Sequence, residues 1–154
     1  MNTRAKSGHS GPAAVLTDLI LETFRLNGRL LAAGDRLTKD LGLSSARWQV
    51  IGAIEQGALT VAQVARNMGL TRQAVQRVAN DLAADGLVAF VDNPDHRRAK
   101  LVRLTPEGCA ALEEVGRRQV AWSNELAAGL SAEAIGQALA VMREVRLRLE
   151  RKKP

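Results

Sequence analysis

Two short amphipathic segments separated by one glycine constrain the fold of this chain more than any other feature. Thr60 and Gln63 match a capping box, in which the threonine hydroxyl accepts from the backbone N–H of Gln63 and the glutamine side chain reaches back. The helix that follows has apolar residues at helical spacing and ends at Gly69. Thr71 can cap a second helix that runs to about Ala84. The pattern predicts a helix-turn-helix.

The residues after this pair of helices predict a β-hairpin with a basic tip. Apolar residues predominate in 87–91 and recur in 99–104, and a polar turn containing Pro94 separates the two runs. Thr105 and Pro106 are then typical of an N-cap and a first helical position. A hairpin placed directly after a helix-turn-helix is a wing. The fold class we predict is mainly α with a small β-hairpin wing, a winged helix-turn-helix.

Longer helices are predicted on both sides of this region. Apolar residues recur at helical spacing from about residue 13 to 40, and Gly34 can break this first helix. Ser44 or Ser45 can cap a second helix over 46–55. A fifth helix is expected from residue 106 to about 128, and a sixth after Ser131.

Net charge and the scarcity of reactive side chains restrict the function. The formal charge is +6, which favours a polyanionic partner, although a solvated basic face or a membrane-surface patch gives the same sum. His9, His96 and Cys109 are the only imidazoles and the only thiol, and no glycine-rich phosphate loop occurs. We therefore expect no enzyme, no metal site and no cofactor. Without a membrane-length apolar run or a secretory signal, we expect a cytoplasmic protein.

The helix after Thr71 separates apolar from polar positions on a helical wheel. Its polar face holds amides and arginines, which can pair with base edges in the major groove of DNA, whereas a generic solvated helix carries more Glu and Lys. An ordinary solvated basic face is the alternative. The predicted DNA-reading residues are Gln73, Gln76, Arg77 and Asn80, with Arg72 on the flank.

The hairpin tip concentrates basic side chains that can track phosphates or enter a minor groove. Asp95 is unexpected in a loop facing DNA. It can hold the guanidinium of Arg97 through charge-assisted hydrogen bonds before DNA arrives, or it can simply form the turn after Pro94. The predicted wing residues are Asp95, His96, Arg97, Arg98 and Lys100.

The stretch 46–108 resembles the central domain of MarR-family regulators, including the DxR pattern at Asp95 and Arg97 and the LTPEG entry to the fifth helix at 104–108. The flanking helices extend this similarity over nearly the whole chain. The resemblance implies a homodimer of intertwined terminal helices, a recognition helix in the major groove and a wing arginine in the minor groove. By this resemblance, Arg97 is the wing-tip residue and is held by Asp95, and Thr71 contacts a phosphate. The residues that contact bases or phosphates are Arg72, Gln73, Gln76 and Arg77.

Regulators similar to this chain often bind small aromatic or anionic effectors between the dimer helices and the DNA-binding lobe. The residues we assign to such a site are Phe24, Arg47, Trp48 and Trp122, with ordinary core packing as the alternative for each aromatic. For Cys109 we expect a small buried hydrophobe, with a redox-active thiol as the alternative.

The terminal helices carry more apolar residues than one winged-helix core needs, which independently favours a dimer. Four regions follow: a disordered basic tail (1–12), an N-terminal dimerisation helix (13–43), a winged helix-turn-helix DNA-binding domain (44–105) and C-terminal dimerisation helices (106–154). We predict a sequence-specific regulator of double-stranded DNA, a repressor acting as a homodimer on a pseudo-palindromic operator and released by an effector. A nucleoid-type binder without sequence preference and a protein-interaction module of the same fold are the alternatives.

Overall fold

A computed structural model of the chain describes Gly8 and residues 11–151. Most of the predicted tail lies outside these residues, but Gly11 and Pro12 belong to the first helix. In chain order the elements are α1 (Gly11–Thr38), a 3-10 helix (Lys39–Leu41), α2 (Ser45–Ala53), β1 (Leu59–Thr60), α3 (Val61–Met68), α4 (Arg72–Ala84), β2 (Val88–Val91), β3 (Leu101–Leu104), α5 (Pro106–Ala127) and α6 (Ala132–Arg151).

The first helix does not break at Gly34, contrary to the alternative raised above. A Cβ at this position would overlap Oγ of Ser45, so the glycine lets the start of α2 approach α1 closely. Ser45 Oγ donates a hydrogen bond to the Leu31 carbonyl (2.6 Å), and its backbone N donates to Asp35 Oδ1 (2.7 Å). These bonds satisfy polar groups at a mostly buried junction.

The caps predicted from the sequence fix the central helices. Ser44 caps α2, and the capping box of Thr60 and Gln63 is complete at α3. Gly69 ends α3 with φ 65°, a left-handed conformation that suits glycine. Thr71 Oγ1 accepts from the backbone N of Ala74 (3.1 Å) and starts α4. The helix-turn-helix therefore forms where the sequence places it.

The sheet has three antiparallel strands in the order β1-β3-β2, one more than the sequence predicts. β1 pairs Leu59 with Val102 and Thr60 with Leu101. A two-residue strand has no periodicity of its own to detect, and this one exists through its pairing with β3. The pairing fastens the start of α3 to the base of the wing.

The division of the chain into two compact units falls within α5, with residues up to Arg117 in the first unit and residues from Arg118 in the second. The first unit has a continuous apolar core in which Val50, Ile51, Val64, Leu82 and Val102 are almost fully buried. In the second unit no residue of α6 is buried. None of the helices in the described residues combines the length and hydropathy needed to cross a membrane.

Candidate nucleic-acid interface

The amphipathic pattern of α4 fixes which of its side chains face solvent. Val75, Ala79 and Leu82 are buried in the core of the first unit. The opposite face of the helix is therefore turned outward. The predicted DNA-reading residues all lie on this exposed side: Thr71, Arg72, Gln73, Gln76, Arg77 and Asn80.

The wing is a hairpin of β2 and β3 whose tip is shaped by Asn93. Asn93 Oδ1 accepts a hydrogen bond from the backbone N of Asp95 (3.0 Å), and the Asn93 carbonyl accepts from the backbone N of His96 (3.2 Å). Such an Asx turn holds a short loop compact without a core. The five predicted wing residues are all exposed: Asp95, His96, Arg97, Arg98 and Lys100.

The expected pair between Asp95 and Arg97 is not formed in the described part of the chain. The tip is held by the Asn93 side chain and by backbone hydrogen bonds, and the Asp95 carboxylate takes no part in them. Both side chains are exposed and solvated, so their attraction is too weak to fix one geometry. In the free protein, Arg97 is therefore not oriented in advance by Asp95.

A cleft of about 760 Å³ lies between α4 and the wing. It brings together six of the predicted residues: Arg72, Gln73, Gln76, Asn80, Arg98 and Lys100. Three of these are cations, and no acidic side chain of the described residues lines the cleft. Thr71, Arg77, Asp95, His96 and Arg97 are exposed but do not line it.

The cleft has a third wall that sequence reasoning missed. Thr60, Val61 and Ala62, at the start of α3, line it together with Phe90 of β2. The capping box identified this helix start but gave no indication of what it faces. Its position depends on the pairing of β1 with β3, a contact between residues about forty positions apart in the sequence.

Arg47, one of the predicted effector residues, already has partners within the protein. Its Nη1 donates to the Gly42 carbonyl (2.7 Å), and its Nη2 pairs with Asp85, the C-cap residue of α4 (2.5 Å). Only 19% of the side chain is exposed, and Nε is buried without a hydrogen-bond partner. Arg47 thus ties α2 to the end of α4, and in this arrangement it is occupied rather than open to an anion.

Trp48 is half-buried against the core and lines a cavity of about 470 Å³ between α1, α2 and α3. Leu30, Leu31 and Met68 contribute apolar side chains to its wall, and Asn27 and Gln49 add polar groups. Phe24 is 70% exposed on α1 and does not line this cavity. Trp122 is half-buried in the second unit.

The expectation that Cys109 is buried is wrong, because its side chain is exposed in the first turn of α5. The inward position of this turn is taken by Gly108 instead. A Cβ there would overlap the Leu87 carbonyl oxygen, so α5 starts in backbone contact with the end of the helix-turn-helix.

Comparison with known proteins identifies the family to which the sequence is similar. The sequence profile described as MarR family matches residues 41–99, which contain α2 to β2 and the wing tip. An uncharacterised protein of Mycobacterium tuberculosis is 37% identical over 136 residues, covering 88% of this chain and 95% of that protein. The HTH-type transcriptional repressor IacR of Pseudomonas putida is 25% identical, covering 72% of this chain and 71% of IacR.

Solved structures share the fold. The transcriptional regulator BldR of Sulfolobus solfataricus has a TM-score of 0.79 at 20% identity, covering 91% of this chain and 99% of BldR. CouR of Rhodococcus jostii RHA1, bound to p-coumaroyl-CoA, has a TM-score of 0.75 at 23% identity, covering 83% and 91% of the two chains. These likenesses confirm the predicted winged helix-turn-helix. Together with the sequence matches, they show that the chain belongs to the MarR family of DNA-binding transcriptional regulators.

Proposed function

We propose that this regulator binds one class of pseudo-palindromic operator as a homodimer and that a small molecule releases it. The observation that carries the sequence-specific part is the cleft between α4 and the wing, which joins three cations to three exposed amides. Cations meet phosphates on any sequence, whereas amides discriminate between base edges. Binding to phosphates alone requires only the cations, so the three amides favour recognition of base edges.

The salt dependence of binding follows from the number of cations that meet DNA. If about four basic side chains of each protomer reach phosphates, a dimer displaces about eight counterions, and log K should fall with log salt at a slope of about −7. A slope of this size on every duplex would reflect the phosphate contacts alone. Sequence preference has to be measured separately.

The experiment is a titration of labelled duplexes followed by fluorescence anisotropy. We expect the operator selected from a random pool to bind at least about a thousandfold tighter than unselected duplex. Equal affinity for all duplexes would favour a nucleoid-type binder, and absence of binding would favour a protein-interaction module. The double variant Gln76→Ala, Arg77→Ala should reduce the preference for the operator, while the double variant Gln119→Ala, Arg117→Ala on the exposed surface of α5 removes the same groups as a control.

The homodimer is proposed because the single chain leaves apolar stripes uncovered on two helices. On α1, Ile20 and Phe24 are 41% and 70% exposed. On α6, the exposed stripe contains Ile135, Leu139 and Met142. A second copy of the chain supplies the apolar cover that a folded monomer lacks. Two-fold symmetry then places two recognition helices about 34 Å apart, which matches a pseudo-palindrome.

Repression is the proposed direction of regulation, because a dimer seated across two major grooves blocks access to a promoter. A reporter driven by a promoter containing the selected operator should be silenced when the protein is expressed. Increased reporter output would contradict repression and leave DNA binding intact.

For the effector we propose a small aromatic molecule that enters the cavity beside Trp48. Apolar walls from three helices fit an aromatic ring, and Asn27 and Gln49 can orient a polar substituent. CouR, which shares the fold, binds an aromatic thioester. In a Trp122→Phe variant, Trp48 is the only tryptophan, so a panel of aromatic acids and phenols can be titrated by its fluorescence. A ligand that changes the signal should also weaken operator binding.

A further inference from the structure

Two amides on the exposed face of α4 are hydrogen-bonded to each other. Gln76 Nε2 donates to Asn80 Oδ1 at 2.9 Å, and the two residues lie one helical turn apart. Both side chains are exposed and both line the cleft. The bond favours one direction of the Gln76 amide, in which its nitrogen faces Asn80 and its oxygen faces away.

The bond leaves Gln76 with one acceptor and one donor for a partner. Its amide oxygen is not used in the pair, and the second hydrogen of Nε2 remains available. In the major groove adenine presents the matching set, an N6 amino donor beside the N7 acceptor. Guanine presents two acceptors, N7 and O6, and one of them would face the amide oxygen without a hydrogen.

We propose that Gln76 reads an adenine in each half-site and that Asn80 is the positioning residue that sets which way its amide faces. This inference rests on the proposed sequence-specific function and adds the base recognised. A freely rotating amide can turn a donor toward guanine, whereas the bond to Asn80 favours the orientation in which the amide oxygen faces away from Asn80. Asn80 therefore contributes to specificity by excluding the wrong orientation.

Gln73 provides a comparison within the same cleft. It lines the cleft as Gln76 does, but its side chain forms no hydrogen bond to another amide on α4 in the part of the chain described. We expect the base that faces Gln73 to be less strictly chosen than the base that faces Gln76.

The experiment is selection of binding sites from a random duplex pool, followed by sequencing, with the full-length protein and four variants. The wild type should yield a palindromic site. At one position of each half-site, called here the A·T column of the aligned sequences, adenine should be preferred about tenfold or more, and this preference should depend on Gln76. Gln76→Ala should flatten that column only. Asn80→Leu, which is similar in size but has no acceptor, should admit guanine there. Asn80→Asp keeps the acceptor and should retain the column at weaker overall affinity, and Gln119→Ala on α5 should change nothing.

The outcomes separate this inference from the function on which it rests. A selected site that is identical for the wild type and Gln76→Ala overturns the reading by Gln76 and leaves the sequence-specific regulator standing. A G·C pair in the column that depends on Gln76 also overturns it. An A·T column that survives unchanged in Asn80→Leu overturns the role of Asn80. A wild type that enriches no site overturns the proposed function and this inference together.

Discussion

Asn93 shapes the wing tip, and this changes what Asp95 is expected to do. Because Asp95 forms no bond to Arg97, the substitution Asp95→Ala only removes a carboxylate from a loop that we propose to lie near phosphates when DNA is bound. We expect operator binding to tighten by about twofold to fivefold, the size of one exposed charge interaction. Anisotropy titrations at two salt concentrations would measure this. Weaker binding would instead indicate that Asp95 engages Arg97 only on DNA.

Arg97→Ala is the companion measurement. Without this guanidinium, each protomer should neutralise one phosphate fewer, so binding should weaken on every duplex and the salt slope should become shallower by about one per protomer. Arg117→Ala removes an exposed arginine that lies outside the cleft, so it controls for the change in net charge. An unchanged slope in Arg97→Ala would place the wing tip away from the phosphates.

At the scale of elements, α5 is fastened to the end of α4 by Thr105. Its Oγ1 donates to the Gly86 carbonyl (2.6 Å) and accepts from the backbone N of Gly108 (3.1 Å), while its own backbone N donates to the Leu87 carbonyl (3.1 Å). Gly108 has no Cβ to keep the two backbones apart. The end of α4 and the start of α5 therefore meet at one junction that is held by these hydrogen bonds and by close backbone contact.

Gly108→Ala tests this junction. The new methyl group would meet the Leu87 backbone, which cannot rotate away, so the start of α5 must shift. We expect the free energy of unfolding to fall by about 2–3 kcal/mol, as in other overpacked sites. Urea denaturation would measure it. Gly116→Ala is the matched control on the same helix, with open space around the new Cβ, and it should raise stability by about 0.5–1 kcal/mol.

The sequence predicted those features of these elements that depend on residues close together along the chain. The starts of α3 and α4 depend on a hydroxyl three residues from its partner, so Thr60 and Thr71 identified both helices correctly. The exposed face of α4 was predictable for the same reason, since helical periodicity alone separates Val75 from Gln76. β1 and the third wall of the cleft were missed because each depends on a contact with a segment distant in sequence. The long first helix was predicted, but its continuity through Gly34 stayed open because the contact of Gly34 with Ser45 cannot be read from helical spacing.

At the scale of the whole molecule, the uncovered apolar stripe of α6 leads to a prediction about the proposed homodimer: charged residues placed in this stripe should prevent it from forming. In light scattering, the double variant Ile135→Asp, Leu139→Asp should have the molar mass of one chain, 16.6 kDa, whereas the wild type should have about twice that mass. Its operator affinity should fall because half-sites are then bound singly. Gln137→Asp places a charge off the stripe and should remain dimeric. A wild type that is monomeric at all concentrations would remove the basis for a palindromic operator.

Because the wing is exposed, its sensitivity to protease can show whether the cleft is occupied by DNA. Trypsin cleaves after lysine and arginine, and the loop of the wing exposes three such residues, Arg97, Arg98 and Lys100. This loop is held by an Asx turn and a few backbone hydrogen bonds. A duplex that occupies the cleft would shield this loop, so the rate of tryptic cleavage after Arg97, Arg98 and Lys100 should drop on operator DNA and recover when an effector empties the site. Limited proteolysis could then screen effectors with neither the protein nor the DNA carrying a label.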